Sequence, residues 1–141
     1  MEYIATGVMS GTSLDGMDIA CCLFKNESGR WSYSILKAGT IAYSEYWKQR
    51  LKGASRLSAR ELIELHQAYG SYIGETVIHF VRQHHIKDFG FIASHGHTIF
   101  HQPDKGYSFQ LGSGAAIAAE AACTVVCDFR SLDVALGGQG A

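Results

Sequence analysis

Two largely apolar segments, Tyr3–Met9 and Met17–Phe24 (the latter broken only by Asp18), flank the short polar stretch Ser10-Gly11-Thr12-Ser13-Leu14-Asp15-Gly16. A run of this kind marks a strand buried on both faces. Two such runs this close together predict neighbouring strands joined by a tight connection, and Asp15-Gly16 is a good hairpin signal. A plain hairpin, however, does not need serine, glycine, threonine and serine in succession. That run offers several backbone amides and hydroxyls to one anion. Gly11 and Gly16 have the spacing of a P-loop, but Met17-Asp18 stands where lysine and a hydroxyl residue belong, so that motif fails. The residues alone leave anion binding and a structural turn both open. Asp15 and Asp18 are the carboxylates that would organise a magnesium ion there, directly or through water.

The chain continues as a mixture of strands and helices. Asn26–Arg30 reads as a turn, and Trp31–Tyr43 as a third strand that completes an antiparallel meander. Ser44–Lys52 reads as a short helix. A longer one follows with Ser58 as N-cap, Glu61 closing a capping box and Leu57 and Leu62 at the staple positions. Its apolar residues, from Leu62 to Val81, recur at helical spacing, and it runs to about His85. Gly70 and Gly74 share one face and predict close packing against the sheet. Phe89–Ala93 reads as a parallel strand reached by crossover. Thr98–Gln102 and Tyr107–Leu111 read as a hairpin around Pro103–Gly106, Ser113–Ala122 as a small-residue helix, and Thr124–Cys127 as another parallel strand. The order is βββαβαβ, an α/β mixed sheet covered by helices with a small hairpin insertion near 98–111.

Composition narrows the partners. The 141 residues suffice for one domain with a core; 47% are hydrophobic and the formal net charge is −1. No basic surplus points to nucleic acid or an anionic membrane. Cys21 and Cys22 are adjacent in a strand and so face opposite ways. With Cys123 and Cys127 they read as buried thiols in a reducing compartment. Without a signal peptide or a membrane-length apolar run, the expected location is the cytoplasm.

Three further groups carry chemistry. His95-Gly96-His97, with His101 nearby, invites a zinc reading, since residues two apart on a strand share a face, but no full ligand set of standard spacing is apparent. Its position is more telling: Ser94–Thr98 follows a parallel strand, where open α/β sheets place ligands. Arg130 and Asp133 also follow a parallel strand. They read either as a structural ion pair or as a clamp in which the Arg130 fork holds a carboxylate or phosphate. Gly137-Gly138-Gln139-Gly140 does not resemble a domain terminus, so the chain is expected to continue.

"GVMSGTSLDGMD", "SHGHTIFHQP", "QLGSGAA" and "DFRSLDVALGGQGA" occur in this order, and together they resemble the anhydro-N-acetylmuramic acid kinases over about Tyr3 to Ala141. The resemblance implies a ribonuclease H-like, actin-like ATPase domain, with residues 1–141 forming the N-terminal lobe of a two-lobe kinase. It implies that Gly11, Thr12, Ser13, Leu14, Asp15, Gly16, Met17 and Asp18 cradle the phosphates of ATP, with Mg2+ held by Asp15 or Asp18. The family opens the 1,6-anhydro ring of anhydro-N-acetylmuramic acid and phosphorylates O6 during cell-wall recycling. His97, Arg130 and Asp133 are the implied sugar contacts, Arg130 meeting the lactyl carboxylate. The family usually has Gln where this chain has His97. The implied catalytic base is an aspartate of a later motif, beyond Ala141, so the 141 residues alone are expected to be inactive. The full-length protein is expected to be a homodimer acting on a small amino sugar. The alternatives are a non-catalytic nucleotide- or sugar-binding module of the same fold and a zinc hydrolase built on His95, His97 and His101. A lobe without its partner would leave an apolar face open and would self-associate.

Overall fold

The computed structural model describes residues 1–140; Ala141, the last residue of the resemblance, lies outside them. The first three strands, β1 (Glu2–Ser10), β2 (Gly16–Glu27) and β3 (Arg30–Ala42), form the antiparallel meander. Helices α1 (Glu45–Gly53) and α2 (Ala59–Gln83) follow. Then come β4 (Phe91–Gln102), β5 (Tyr107–Leu111), α3 (Gly114–Ala121), β6 (Thr124–Cys127) and the short α4 (Ser131–Ala135). The sheet runs β3-β2-β1-β4-β5, with β6 also paired to β4. β4 is parallel to β1 and to β6, and antiparallel to β5. This mixed α/β architecture is compatible with the N-terminal domain of an actin-like ATPase.

The hairpin near 98–111 grows out of β4 itself. Sequence reading ends that strand at Ala93, because Ser94-His95-Gly96-His97 looks like a polar loop. In the fold the strand continues for 12 residues, since β1 supplies backbone partners as far as His97, opposite Ser10. Gly96 makes this possible. It takes a φ of +69°, which costs glycine little, and a side chain there would strike the Leu111 carbonyl. The kink lets β4 pair with β6 through Phe91–Ser94 and with β5 from His97 onward.

The core lies between one sheet face and the helices. Val8, Met17, Ile19, Cys21, Ile92 and Leu111 meet Leu65, Tyr69, Ile73, Val77 and Phe80 of α2. Burying each large apolar side chain contributes roughly 1.5–3 kcal/mol. Ser58 caps α2 as read: its Oγ accepts from the Glu61 amide at 3.4 Å and the Glu61 carboxylate accepts from the Ser58 amide at 2.8 Å. The opposite sheet face exposes Tyr3, Trp31, Tyr33 and Ile35. Tyr3 stacks on Trp31 with ring centres 6.3 Å apart. All four cysteines are free thiols, but the buried reading holds in full only for Cys21: Cys22 and Cys123 are half-buried and Cys127 is exposed. Among the described residues no helix is long and apolar enough to cross a membrane.

One packing expectation is corrected. Gly70 and Gly74 are buried, but against α3 rather than the sheet. A Cβ on Gly70 would lie 2.7 Å from the Ser113 carbonyl oxygen, and one on Gly74 would lie 2.6 Å from Glu120 Cβ. Gly70→Ala should therefore lower stability by about 1–3 kcal/mol through overpacking. Gly53→Ala, in right-handed helical backbone with nothing within 4 Å of the added methyl, should be neutral or slightly stabilising. Thermal unfolding of the two variants checks this; equal losses would contradict the α2–α3 contact.

Candidate functional site

The C-terminal ends of β1 and β6 lie level with the Ser94–His97 middle of β4 at one edge of the sheet, because all three run parallel. That edge brings together the β1–β2 loop, the Ser94–His97 segment and Asp128–Arg130.

The loop is short and internally braced. The Leu14 amide donates to the Gly11 carbonyl at 3.4 Å, and Leu14 turns the chain with φ +58°, a left-handed conformation unfavourable for leucine. Its side chain packs on the core. Thr12 and Ser13 are exposed. A Cβ on Gly11 would sit 3.2 Å from Ser13 Oγ, so the glycine keeps the space beside that hydroxyl clear. Ser13 Oγ donates to Asp15 Oδ1 at 2.6 Å, and the Gly16 amide donates to the same oxygen at 3.0 Å. The Ser13 hydroxyl first, and backbone amides after it, hold the Asp15 carboxyl below the usual carboxylate range.

The rest of the predicted phosphate segment divides by exposure. Gly16 and Met17 are buried. A Cβ on Gly16 would lie 2.7 Å from the Ile41 carbonyl oxygen, and Met17 is fully buried. Their task is to fix where the loop re-enters the sheet. Asp18 is exposed on the opposite sheet face, and its Oδ1 accepts from Thr40 Oγ1 at 2.5 Å. It lines a shallow groove with Met9, Thr40, His95 and Phe129. The two candidate magnesium carboxylates thus occupy different surroundings, one in the loop and one in the groove.

Behind the loop lies a buried polar chain. Ser10, the last residue of β1, accepts from Tyr43 Oη at 2.7 Å and sits 3.0 Å from His97 Nδ1; Tyr43 Oη is 2.6 Å from Tyr69 Oη. His97 is 4% exposed, so it meets Ser10 rather than the open edge. Burial, and next the neighbouring His95, lower its pKa and so favour the neutral imidazole, while the Ser10 backbone opposes them. Tyr43 and Tyr69 were not legible as site residues. Tyr43 reads as the end of a strand and Tyr69 as a core position of a helix.

Arg130 donates from Nε to His95 Nε2 at 2.9 Å and from Nη1 to the Gly140 carbonyl at 2.7 Å. Asp133 Oδ2 accepts from the Gly140 amide at 2.7 Å. The ion-pair reading of Arg130 and Asp133 is corrected: instead of meeting each other they hold the two sides of one peptide backbone. This folds the glycine-rich segment back beside His95. His95 accepts at Nε2, so it carries its proton on Nδ1, which donates to the Gly96 carbonyl at 3.0 Å. A cavity of about 230 Å3 adjoins this pair. Its lining includes His66, Ser94, Ser108 and Asp128, and the buried Ser94 hydroxyl has no protein partner. His95, His97 and His101 each bond elsewhere, His101 to Ser108 at 3.1 Å. Among the described residues no three His, Cys, Asp or Glu converge as a metal site.

A half-exposed arginine, a braced Gly-Thr-Ser loop and two carboxylates thus gather at the edge of the mixed sheet where open α/β sheets place ligands. The sequence profile of the anhydro-N-acetylmuramic acid kinases matches residues 1–141, and the chain belongs to that family. It is similar to the anhydro-N-acetylmuramic acid kinase of Synechococcus elongatus, with 39% identity over 96% of this chain and 37% of that protein. The kinases of Nitrosomonas europaea (40% identity; 100% of this chain, 39% of that protein) and Rhodopseudomonas palustris (38%; 100% and 41%) are also similar. The chain spans about two fifths of the length of the curated relatives it matches.

The Asp15 contacts have a measurable consequence. A depressed pKa means the carboxylate's bonds stabilise the loop above the unfolded value of 3.8 and are lost as pH falls through the folded one. In an NMR titration, Asp15 should titrate below 3.8, and Ser13→Ala should move its midpoint upward. A midpoint that Ser13→Ala leaves in place would contradict the geometry.

Proposed function

We propose that this chain is the N-terminal lobe of a two-lobe sugar kinase that binds the phosphates of Mg-ATP on Gly11–Asp18. In this reading the kinase opens the anhydro ring of anhydro-N-acetylmuramic acid and phosphorylates O6. The observation that carries it is the β1–β2 loop. Thr12 and Ser13 are exposed, Gly11 leaves room beside the Ser13 hydroxyl, and Tyr43 ties the loop at Ser10 and Asp15.

The residues fit a magnesium–nucleotide. Thr12, Ser13 and the loop amides stabilise phosphoryl charge, and Asp15 or Asp18 holds the metal through its carboxylate or a water. Mg-ATP supplies the transferable phosphoryl group and neutralises charge on it. The chain's own residues bind and orient. Arg130 sits at the same edge with its Nη2 amino group unbonded among the described residues, so it can meet the lactyl carboxylate. Asp133 holds the backbone that Arg130 grips, which fixes the guanidinium's plane. The cavity next to them offers Ser94, Ser108 and Asp128 to the neutral hydroxyl and amide groups of the sugar. In the overall reaction water adds at C1 as the C1–O6 bond breaks. O6 then takes the γ-phosphoryl group and ADP leaves. The base that deprotonates the water belongs to a later segment of the family's motif order.

The protein encoded by the uninterrupted reading frame, incubated with Mg-ATP and 1,6-anhydro-N-acetylmuramic acid, should give the ring-opened 6-phosphate by mass spectrometry. Arg130→Ala should raise KM for the sugar roughly tenfold or more, as loss of a charge-assisted bond does. ATP binding without product would overturn the substrate assignment.

A further inference from the structure

We propose that Tyr43 and His97 are positioning residues that hold the phosphate loop from behind, through Ser10; this rests on the reading of Gly11–Asp18 as the phosphate site. Tyr43 grips the loop at both ends. Its hydroxyl donates to Ser10, the residue before Gly11, and its backbone amide donates to the Asp15 carbonyl at 3.3 Å. One residue thus ties the entry of the loop to its exit. His97 meets the same Ser10 hydroxyl from the neighbouring strand, where β4 pairs with the end of β1. Tyr69 of α2 completes the chain, and Trp47 and Tyr72 pack around the two tyrosine rings.

Counting protons gives the chain a direction. Tyr43 gives its only hydroxyl proton to Ser10, so it accepts from Tyr69. Ser10 gives its own proton to His97 Nδ1, which leaves His97 neutral with its proton on Nε2. Every hydroxyl then has a partner. That matters because Ser10, Tyr43 and His97 are each 4% exposed and Tyr69 is fully buried. A buried donor or acceptor left alone costs more than a made bond contributes. The network therefore has one low-energy arrangement, and the loop's position follows from it. A protonated His97 would donate at Nδ1, leaving the Ser10 proton without an acceptor and the relay broken at the loop.

Apart from the Ser10 backbone, the groups around His97 do not favour its charge. His95 lies on the same strand, and Lys52 of α1 lines the same small depression as His97, with Thr12, Leu14 and Ser55. Tyr43 and Tyr69 reach it through Ser10, and Asp15 is held to the Tyr43 backbone. No carboxylate among the described residues lines that depression.

The test uses the full-length chain. Mg-ATP binding to the wild type by calorimetry comes first, since absent binding would overturn the phosphate-site reading itself, and with it this proposal. With binding established, Tyr43→Phe and His97→Leu should raise KM for ATP roughly three- to tenfold. KM for the sugar should stay put. His97→Gln, whose side-chain oxygen accepts from Ser10 but does not titrate, should recover most of what His97→Leu loses. It should also flatten the acid limb of kcat/KM for ATP. In nucleotide-free protein, Tyr43→Phe should speed hydrogen exchange at the Leu14 amide. A purely structural role would lower the folded fraction, and with it kcat, without moving KM. Unchanged KM for ATP in folded variants, or a raised KM for the sugar alone, would overturn the proposal.

Discussion

The Ser10 hydroxyl, sealed at the end of the central strand, is the contact on which the rest of the site depends. β1 has a strand on each side and runs directly into the loop, so its last residue fixes where the loop begins. Ser10 is bonded from two further elements, Tyr43 before α1 and His97 on β4. A flexible glycine-containing loop would otherwise lose much of its preorganisation to conformational entropy. Here the order comes from a buried network that joins Ser10 to His97 and, through Tyr43, to Tyr69. The candidate surface is small, and the side chains bonded behind it lie inside the core.

The same logic places the second half of the site. β4 must serve three partners, and the Gly96 kink lets it pass from β6 to β5 while staying on β1. The kink also directs the residues on either side of it differently. His95 meets Arg130 at the open edge, and His97 meets Ser10 in the core. Two histidines that read as a pair in the sequence therefore serve opposite sides of the sheet. The glycine-rich segment after α4 returns to this edge because Arg130 and Asp133 grip its backbone, and that places it beside the cavity with the unpartnered Ser94 hydroxyl.

Much of the fold is legible from local chemistry. The apolar runs of β1 and β2, the Ser58–Glu61 capping box and the Thr124–Cys127 strand are each specified within a few residues. β4 is not, because its second half is polar and is held as a strand by β1 and β5 rather than by its own sequence. The face of Gly70 and Gly74 is legible as a close contact, but periodicity does not say which element makes it. In the site, the loop residues announce themselves through composition. Tyr43 does not, since its role arises from a bond to a residue 33 positions away. Arg130 and Asp133 are legible as functional candidates, yet their shared grip on Gly140 depends on how the following turn folds back.

Whether Gly11–Asp18 receives the phosphates of a nucleotide can be read from the backbone amide resonances of the full-length protein as Mg-ATP is added. Saturable shifts should concentrate at Gly11, Thr12, Ser13 and Asp15, with Phe24–Trp31 at the far end of the β2–β3 hairpin unmoved. Binding that leaves the loop amides in place and perturbs the α2–α3 face instead would contradict that placement of the phosphates.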